Sequence, residues 1–514
     1  MKRLMAILLS LLMIAGMLTG CTNEDEPYTP TGAGLTWDED YTGPVNDPDG
    51  GKEEQTLKLT YYPDRSMNPY ICTDFTNRAL FGLLYQSLFT VDRGYNVEPQ
   101  LCKNYRVSED MKTYTFYLEN ATFTDGVQLT AMDVLVSLQT ARENPYYAGR
   151  FTHISSVELG EDGGITIKVK VPMENLPILL DIPIVKQTEV TLNAPLGTGP
   201  YYLDAGNSVL RRNTNWWCKE ELIVTAQAIT LVTAKSESGI RDSFEFEGVD
   251  LVCADPGSDK YADYRCDYEL WDCESGIFLY LACNMESPVF MDARVRSALS
   301  SAIDRDTLAA AYYRGFARSA SLPASPQSPW YSHNLAAKYA YDGGEKLTQA
   351  VTDAAVSGTE IIFLVNKDDS LRLRVARDIA DMLKSCGLKV TLSEKSTSGF
   401  NNALKKKEFD LYLGQTKLSP NMDLSSFFSN KGSLSYGGIS DVALYALCTE
   451  ALANRGNYYT MHKNVMDDGR LCPILVRSYS VYATRGLLTG LTPARDNVFY
   501  YSMGRTMENA LIKE

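Results

Sequence analysis

Apolar and polar positions alternate with period two along Tyr114-Thr115-Phe116-Tyr117-Leu118, which predicts a half-buried strand, and Asp125-Gly126 then turns the chain. Thr130 with Asp133 forms a capping-box start, after which Ala131, Leu135, Leu138 and Ala141 share one helical face. Val157 to Leu159 and Ile165 to Val171 flank Asp162-Gly163-Gly164 and predict a hairpin, so this stretch is expected to form a compact α+β unit. Further on, Glu360 to Val365 is a buried-strand run, and Val375, Ile379, Met382 and Leu383 recur at helical spacing up to Gly387. Leu388 to Leu392 supplies a second strand, so about 35 residues predict a βαβ crossover and a parallel pair. A helix over Phe400 to Lys407 leads into a strand from Phe409 to Gly414, and this alternation points to an α/β domain. A Pro-rich loop, Leu322 to Trp330, interrupts the middle of the chain.

The N-terminus follows a different pattern. Lys2 and Arg3 precede an apolar run from Leu4 to Met17 that is short for a membrane span, and Leu18-Thr19-Gly20-Cys21 closes it with small residues. The order resembles a bacterial lipoprotein signal, which implies that residues 1–21 are a leader cut before a lipidated Cys21. Two or more acyl chains there would give stable attachment outside the cytoplasm. Residues 22–55 are rich in Asp, Glu, Pro, Gly and Thr and cannot bury enough surface to offset ordering entropy. They are expected to be an acidic disordered tether whose ends lie roughly 30 Å apart.

Residues 56–514 have globular composition and enough length for two or three domains. A formal net charge of −15 and the lack of a basic patch argue against nucleic acid as a partner. Of the 11 cysteines, those other than Cys21 show no CxxC spacing. Mostly free thiols are expected, with Cys266–Cys273 and Cys72–Cys102 left open as pairings. The three histidines, His153, His333 and His462, have no metal-ligand spacing, and neither a GxSxG elbow nor a phosphate-binding loop occurs. Gly197-Thr198-Gly199-Pro200-Tyr201-Tyr202 begins like a dinucleotide fingerprint but lacks its third Gly. No catalytic residue, metal or cofactor is expected, and an enzyme is disfavoured.

Five stretches in register carry a family resemblance: NPY at 68–70, LYQSLFTVD at 84–92, YTFYLENATFTDGVQLTAMDVLVSL at 114–138, GTGPY at 197–201 and FMDARVRSALSSAIDRDTL at 290–308. The chain resembles the family 5 solute-binding proteins of ABC importers, which include oligopeptide-, dipeptide- and nickel-binding members. The resemblance implies an α/β, two-lobe type II periplasmic-binding-protein fold with an inserted α+β domain. Lobe I would comprise 56–72, 181–275 and 480–514, the insertion 73–180 and lobe II 276–479, with crossing segments near Gly276–Met285 and Ile474–Thr484. The implied function is capture of a peptide or peptide-like solute between closing lobes and delivery to an ABC permease, by a monomer. A sensor of the same fold, or a binder of a nickel chelate or other small polar solute, is the alternative.

Peptide-binding members hold the peptide ammonium with an acidic residue in a D-x-x-D-P-like segment after a strand. In the comparable segment here, Asp423 falls on the second Asp, Pro420 replaces the first and Leu424 replaces the Pro. Gln86 stands where many relatives carry Glu, and an amide both donates and accepts. Tyr85, Trp271 and Tyr436 are candidate wall or stacking residues. With Gln415, which follows Gly414, and Asp423, these are the expected ligand-binding residues.

Overall fold

The computed structural model describes residues 56–218 and 222–512; the leader, Cys21 and the acidic segment lie outside the described residues. An eleven-stranded sheet is organised by two long strands, Glu269–Cys283 and Leu471–Ala483, which pair antiparallel along most of their length. Ile277–Cys283 of the first and Leu471–Val476 of the second are continuous apolar runs, as strand segments covered on two faces are, whereas Glu269, Asp272 and Glu274 make the other half of the first strand polar. The first pairs with Leu411–Lys417, and through it the sheet continues into the parallel strands Glu360–Asn366 and Lys389–Lys395. The second pairs with Leu251–Ala254, from which the sheet continues into Leu57–Tyr61, Ala228–Thr233, Val209–Arg212 and Tyr201–Leu203. The molecule thus has two wings joined by two crossing strands.

The ladder between the crossing strands is irregular from Glu274 to Ile277. Gly276 lies there at φ 67°, and a Cβ at this position would collide with the Arg495 guanidinium. Glycine is required by both the backbone conformation and the close approach.

In the second wing of the sequence, helix Ser370–Ser385 connects the parallel strands, whose register aligns Glu360 with Lys389. Asp369 caps the helix by accepting from Arg372 N at 2.9 Å, and Val375, Ile379 and Leu383 are buried on its inner face. The next helix, Thr397–Lys406, starts earlier than its apolar pattern predicts because the Ser396 side chain caps Gly399 N. The strand after it runs on to Lys417, beyond the predicted Gly414, because Gln415, Thr416 and Lys417 pair with Leu279, Phe278 and Ile277. That extension carries Lys417 to the seam between the wings.

The α+β stretch forms a separate four-stranded antiparallel sheet, ordered Cys102–Val107, Thr113–Leu118, Ile165–Val169, Ile154–Leu159. Helix Ala131–Glu143 packs on it, and its capping box is complete, with Thr130 N donating to Asp133 at 2.9 Å. After Asp292 the periodicity predicts one amphipathic helix, but the chain tightens from an α-helix, Ala293–Ala298, to a 3-10 turn, Leu299–Ala302. The Ser301 hydroxyl bonding back to Ala298 O at 2.9 Å competes there with the helical ladder. The Pro-rich loop is buried at Leu322, Ala324, Ser325 and Trp330, so it is packing material rather than a surface connection. All ten described cysteines are free thiols, nine of them buried, and neither open pairing forms.

Candidate functional site

Strands Leu57–Tyr61 and Leu251–Ala254 deliver Tyr62 and Asp255, at their carboxyl ends, to a cavity of about 270 Å³. The carboxyl edge of an α/β sheet is where such folds leave room for ligands. Phe75, Glu237 and Lys260 also line it, and Tyr479 of the second crossing strand closes one side. Tyr479 stacks on Phe75 with ring centroids 3.5 Å apart and 12° between planes. Two lining carboxylates are already paired: Asp74 with Arg65, and Asp255 with Arg477 at 2.7 Å.

Tyr479 lies within electrostatic reach of Asp255, Arg477, Asp496 and Arg78, so the cavity neighbours a buried ionic cluster. Lys417 Nζ lies 2.6 Å from Asp496, donates to Ser275 O at 2.5 Å and sits 4.1 Å from the Tyr146 ring centre. Arg78 donates to Cys72 O at 3.2 Å and to the Tyr147 hydroxyl at 3.3 Å, and its guanidinium lies 3.5 Å from the Tyr146 centroid. Arg150 grips Asp181 with two bonds of 2.7 and 2.8 Å. Arg495 donates to Leu418 O.

Burial pulls the Lys417 ammonium down to about 7, against the attraction of Asp496. Burial also opposes the Asp496 charge, yet Lys417 and Arg495 beside it hold the carboxyl below its usual range. Asp496 supports the Lys417 charge, whereas burial and the neighbouring Arg495 and Arg150 oppose it. Elsewhere along the seam, His153 Nε2 lies 2.7 Å from Ser425 Oγ and 3.2 Å from Asp423. Burial raises the Asp423 carboxyl, but the His153 and Ser425 hydrogen bonds bring it below its ordinary value. Arg374 pairs with Asp259 at 2.8 Å, Arg455 N donates to Glu174 at 2.9 Å, and Glu174 N donates to Leu452 O at 2.8 Å. These contacts join segments far apart in sequence: Arg374–Asp259 links the two wings, and the His153 and Glu174 contacts tie the α+β unit and the segment after it to residues 423–455.

The residues expected from sequence are spread over this framework, and none of the six lines the cavity. Tyr85 is buried, donating to Met67 O at 2.8 Å and Pro195 O at 3.3 Å. Gln86 is 1 % exposed, with its amide donating to the Tyr501 hydroxyl at 3.0 Å and accepting from Trp217 Nε1 at 2.7 Å. Trp271 is half-buried on the first crossing strand, opposite Val481. Gln415 is half-buried opposite Leu279, two residues before Lys417. Asp423 is spent on Ser425 and His153, and Tyr436 is half-buried edge-on to Tyr412 at 6.4 Å. Sequence reasoning missed Phe75, Arg78, Lys417, Tyr479 and the Arg495-Asp496 pair.

The profile of bacterial extracellular solute-binding proteins, family 5 Middle, matches residues 96–436. A Brucella ovis protein named as an ABC transporter peptide-binding protein is 24% identical over 360 residues, 62% of this chain and 64% of its own length. The chain thus spans just under two thirds of that relative. The glutathione-binding protein GsiB of Shigella flexneri is 24% identical over 284 residues, 50% of this chain and 53% of its own. Among solved structures, the ABC transporter substrate-binding protein CtaP of Listeria monocytogenes superimposes with a TM-score of 0.69 at 18% identity, covering 87% of this chain and 98% of that one. NikA of Brucella suis, in complex with Fe(III)-EDTA, gives 0.66 at 19% identity, covering 84% and 95%. These neighbours share the type II periplasmic-binding-protein fold, in which two lobes joined by crossing strands enclose a cleft. With the profile spanning most of the folded region, the chain belongs to the family 5 bacterial extracellular solute-binding proteins.

Proposed function

We propose that this protein captures a peptide or peptide-like solute between its two wings and delivers it, unaltered, to the permease of an ABC importer. The crossing strands carry the reading: their ladder breaks at Gly276, so the wings can rotate about a short segment while each keeps its own pairing. Solute bound at the seam stabilises the closed form by whatever its contacts exceed in that form. A closed cleft excludes water and strengthens the polar contacts within it. No helix among the described residues is long and apolar enough to cross a membrane, so attachment would fall to a lipid on Cys21. The domain limits drawn from sequence remain part of this proposal, and so does a monomeric state.

Native mass spectrometry of the purified protein tests it. The expected result is a co-purifying small molecule of constant mass that is recovered unchanged and whose removal widens the particle in solution scattering. A particle whose dimensions stay the same with and without that molecule would sink the closing-cleft reading. Radiolabelled palmitate is expected to enter the wild type and not Cys21→Ala.

A further inference from the structure

We propose that the cavity beside Tyr479 seats one uncharged aromatic side chain of the solute that carries a hydrogen-bonding group, the phenol of a tyrosine being the fitting case. The inference rests on the solute-capture reading above and adds the chemical class of the group that the cavity recognises.

The cavity holds about 270 Å³, below the roughly 300–1,000 Å³ of sites that enclose a whole drug-sized ligand. It therefore has room for one side chain of a peptide rather than for all of it. Rings make up much of its wall: Tyr62, Phe75, Tyr261, Tyr264 and Tyr479. The hydroxyl of Tyr261 is spent on Tyr482, but those of Tyr62, Tyr264 and Tyr479 have no hydrogen-bond partner among the described residues. Tyr62 and Tyr264 are buried and Tyr479 is half-buried, yet each of these three oxygens keeps accessible surface. A tyrosine buried this far normally finds a partner for its hydroxyl, so three open ones around one cavity are groups that a ligand can satisfy.

The charges of the wall decide against an ionised occupant. Three acids, Asp74, Glu237 and Asp255, and three bases, Arg65, Arg241 and Lys260, line the cavity. Asp74 pairs with Arg65, Asp255 with Arg477, and Arg241 with Asp242. Glu237 and Lys260 are exposed, where water solvates them. The wall thus leaves no buried charge for a ligand of either sign to complete. A cationic guest is further disfavoured because Arg65 already lies over the Tyr62 ring at 4.0 Å and Arg314 over the Tyr261 ring at 4.6 Å. What stays available is ring surface and neutral hydroxyls. A phenol complements both, since its ring packs against other rings and its hydroxyl donates as well as accepts.

The test is retention by the purified full-length protein of an equimolar tripeptide mixture, each peptide carrying Tyr, Phe, Leu, Glu or Lys at one position and alanine at the others, with the bound fraction read by native mass spectrometry. Tyr peptides are expected to be enriched about tenfold over Leu peptides and about fivefold over Phe peptides, the factors that ring packing and one neutral hydrogen bond supply. The triple variant Tyr62→Phe, Tyr264→Phe, Tyr479→Phe keeps every ring and removes only hydroxyls that hold nothing in the protein. It is expected to unfold in urea as wild type does and to bring the Tyr-to-Phe ratio to about one, with Phe still ahead of Leu. Thr73→Trp, at an exposed lining position, fills the cavity and is expected to abolish the ring preference; should it not fold, Ser238→Trp, also exposed and lining, takes its place. A bound fraction indifferent to the variable residue, or led by Leu, Glu or Lys peptides, overturns the inference and leaves solute capture standing. Phe peptides that equal or exceed Tyr peptides in wild type, or a Tyr preference that survives the triple substitution, overturn the role of the hydroxyls. A ring preference that survives filling overturns the assignment to this cavity. Retention of none of the peptides overturns the peptide-binding reading itself.

Discussion

His462 makes the acid stability of this protein calculable. It sits on helix Tyr458–Asp468 with no exposed surface, and neither ring nitrogen has a hydrogen-bond partner among the described residues. Burial alone pushes it down to about 3, whereas an unfolded histidine titrates near 6.5. The folded-state value is the lower one, so above pH 6.5 the residue imposes no proton-linked cost. As pH falls below 6.5 the unfolded chain takes up a proton that the folded chain refuses, and stability drops until about pH 3. At pH 5 the loss is about 2 kcal/mol, from 1.4 kcal/mol per unit over the interval below 6.5. Since pH 5 lies well above the folded value, a unit's change in that value barely alters the result. His462→Leu removes the titration and two unsatisfied polar atoms at similar volume. Urea unfolding of both proteins at pH 7.5 and pH 5.0 is the assay. The variant is expected to match or exceed wild type at pH 7.5 and to gain about a further 2 kcal/mol relative to it at pH 5.0. Equal pH dependence in the two proteins would refute the reasoning, because it would mean that the imidazole is protonated alike in both states.

Other perturbations follow from the same contacts. Gly276→Ala forces a side chain into φ 67° and against Arg495, so unfolding free energy is expected to fall by at least about 1 kcal/mol with weaker solute binding; unchanged stability contradicts the need for glycine. Arg305 is buried and donates to the carbonyls of Ala320, Pro473, Ser300 and Ile303 at 2.9–3.2 Å, which pins the second crossing strand to its neighbours. Arg305→Leu is expected to cost about 3 kcal/mol or more in urea unfolding, with Arg305→Lys intermediate. Cys266 is the one described thiol that is not buried, so brief iodoacetamide treatment with peptide mapping is expected to find it alkylated first; early label on Cys273 or Cys283 would contradict the packing.

Local rules carried much of the architecture. The Thr130–Asp133 box, the helix face at Val375, Ile379 and Leu383, and the turns at Gly126 and Gly387 each follow from neighbours within a few residues, so spacing alone reveals them. The family was legible for the same reason, since its motifs are mostly scaffold. The sequence by itself determined the element types of the most regular stretches, and through its family resemblance it pointed to crossing segments near the strands Glu269–Cys283 and Leu471–Ala483. It could not reveal that Lys417 meets Asp496, or that His153 meets Asp423, because those partners are separated by 79 and roughly 270 residues and come together only in the tertiary structure. Gln86 shows the converse: its polar side chain suggested a ligand, and tertiary structure gave it Tyr501 and Trp217 instead. Which polar groups are satisfied inside the protein, and which are left for a solute, is a property of packing, because a hydrogen bond or counterion is supplied by whatever side chain burial brings within reach.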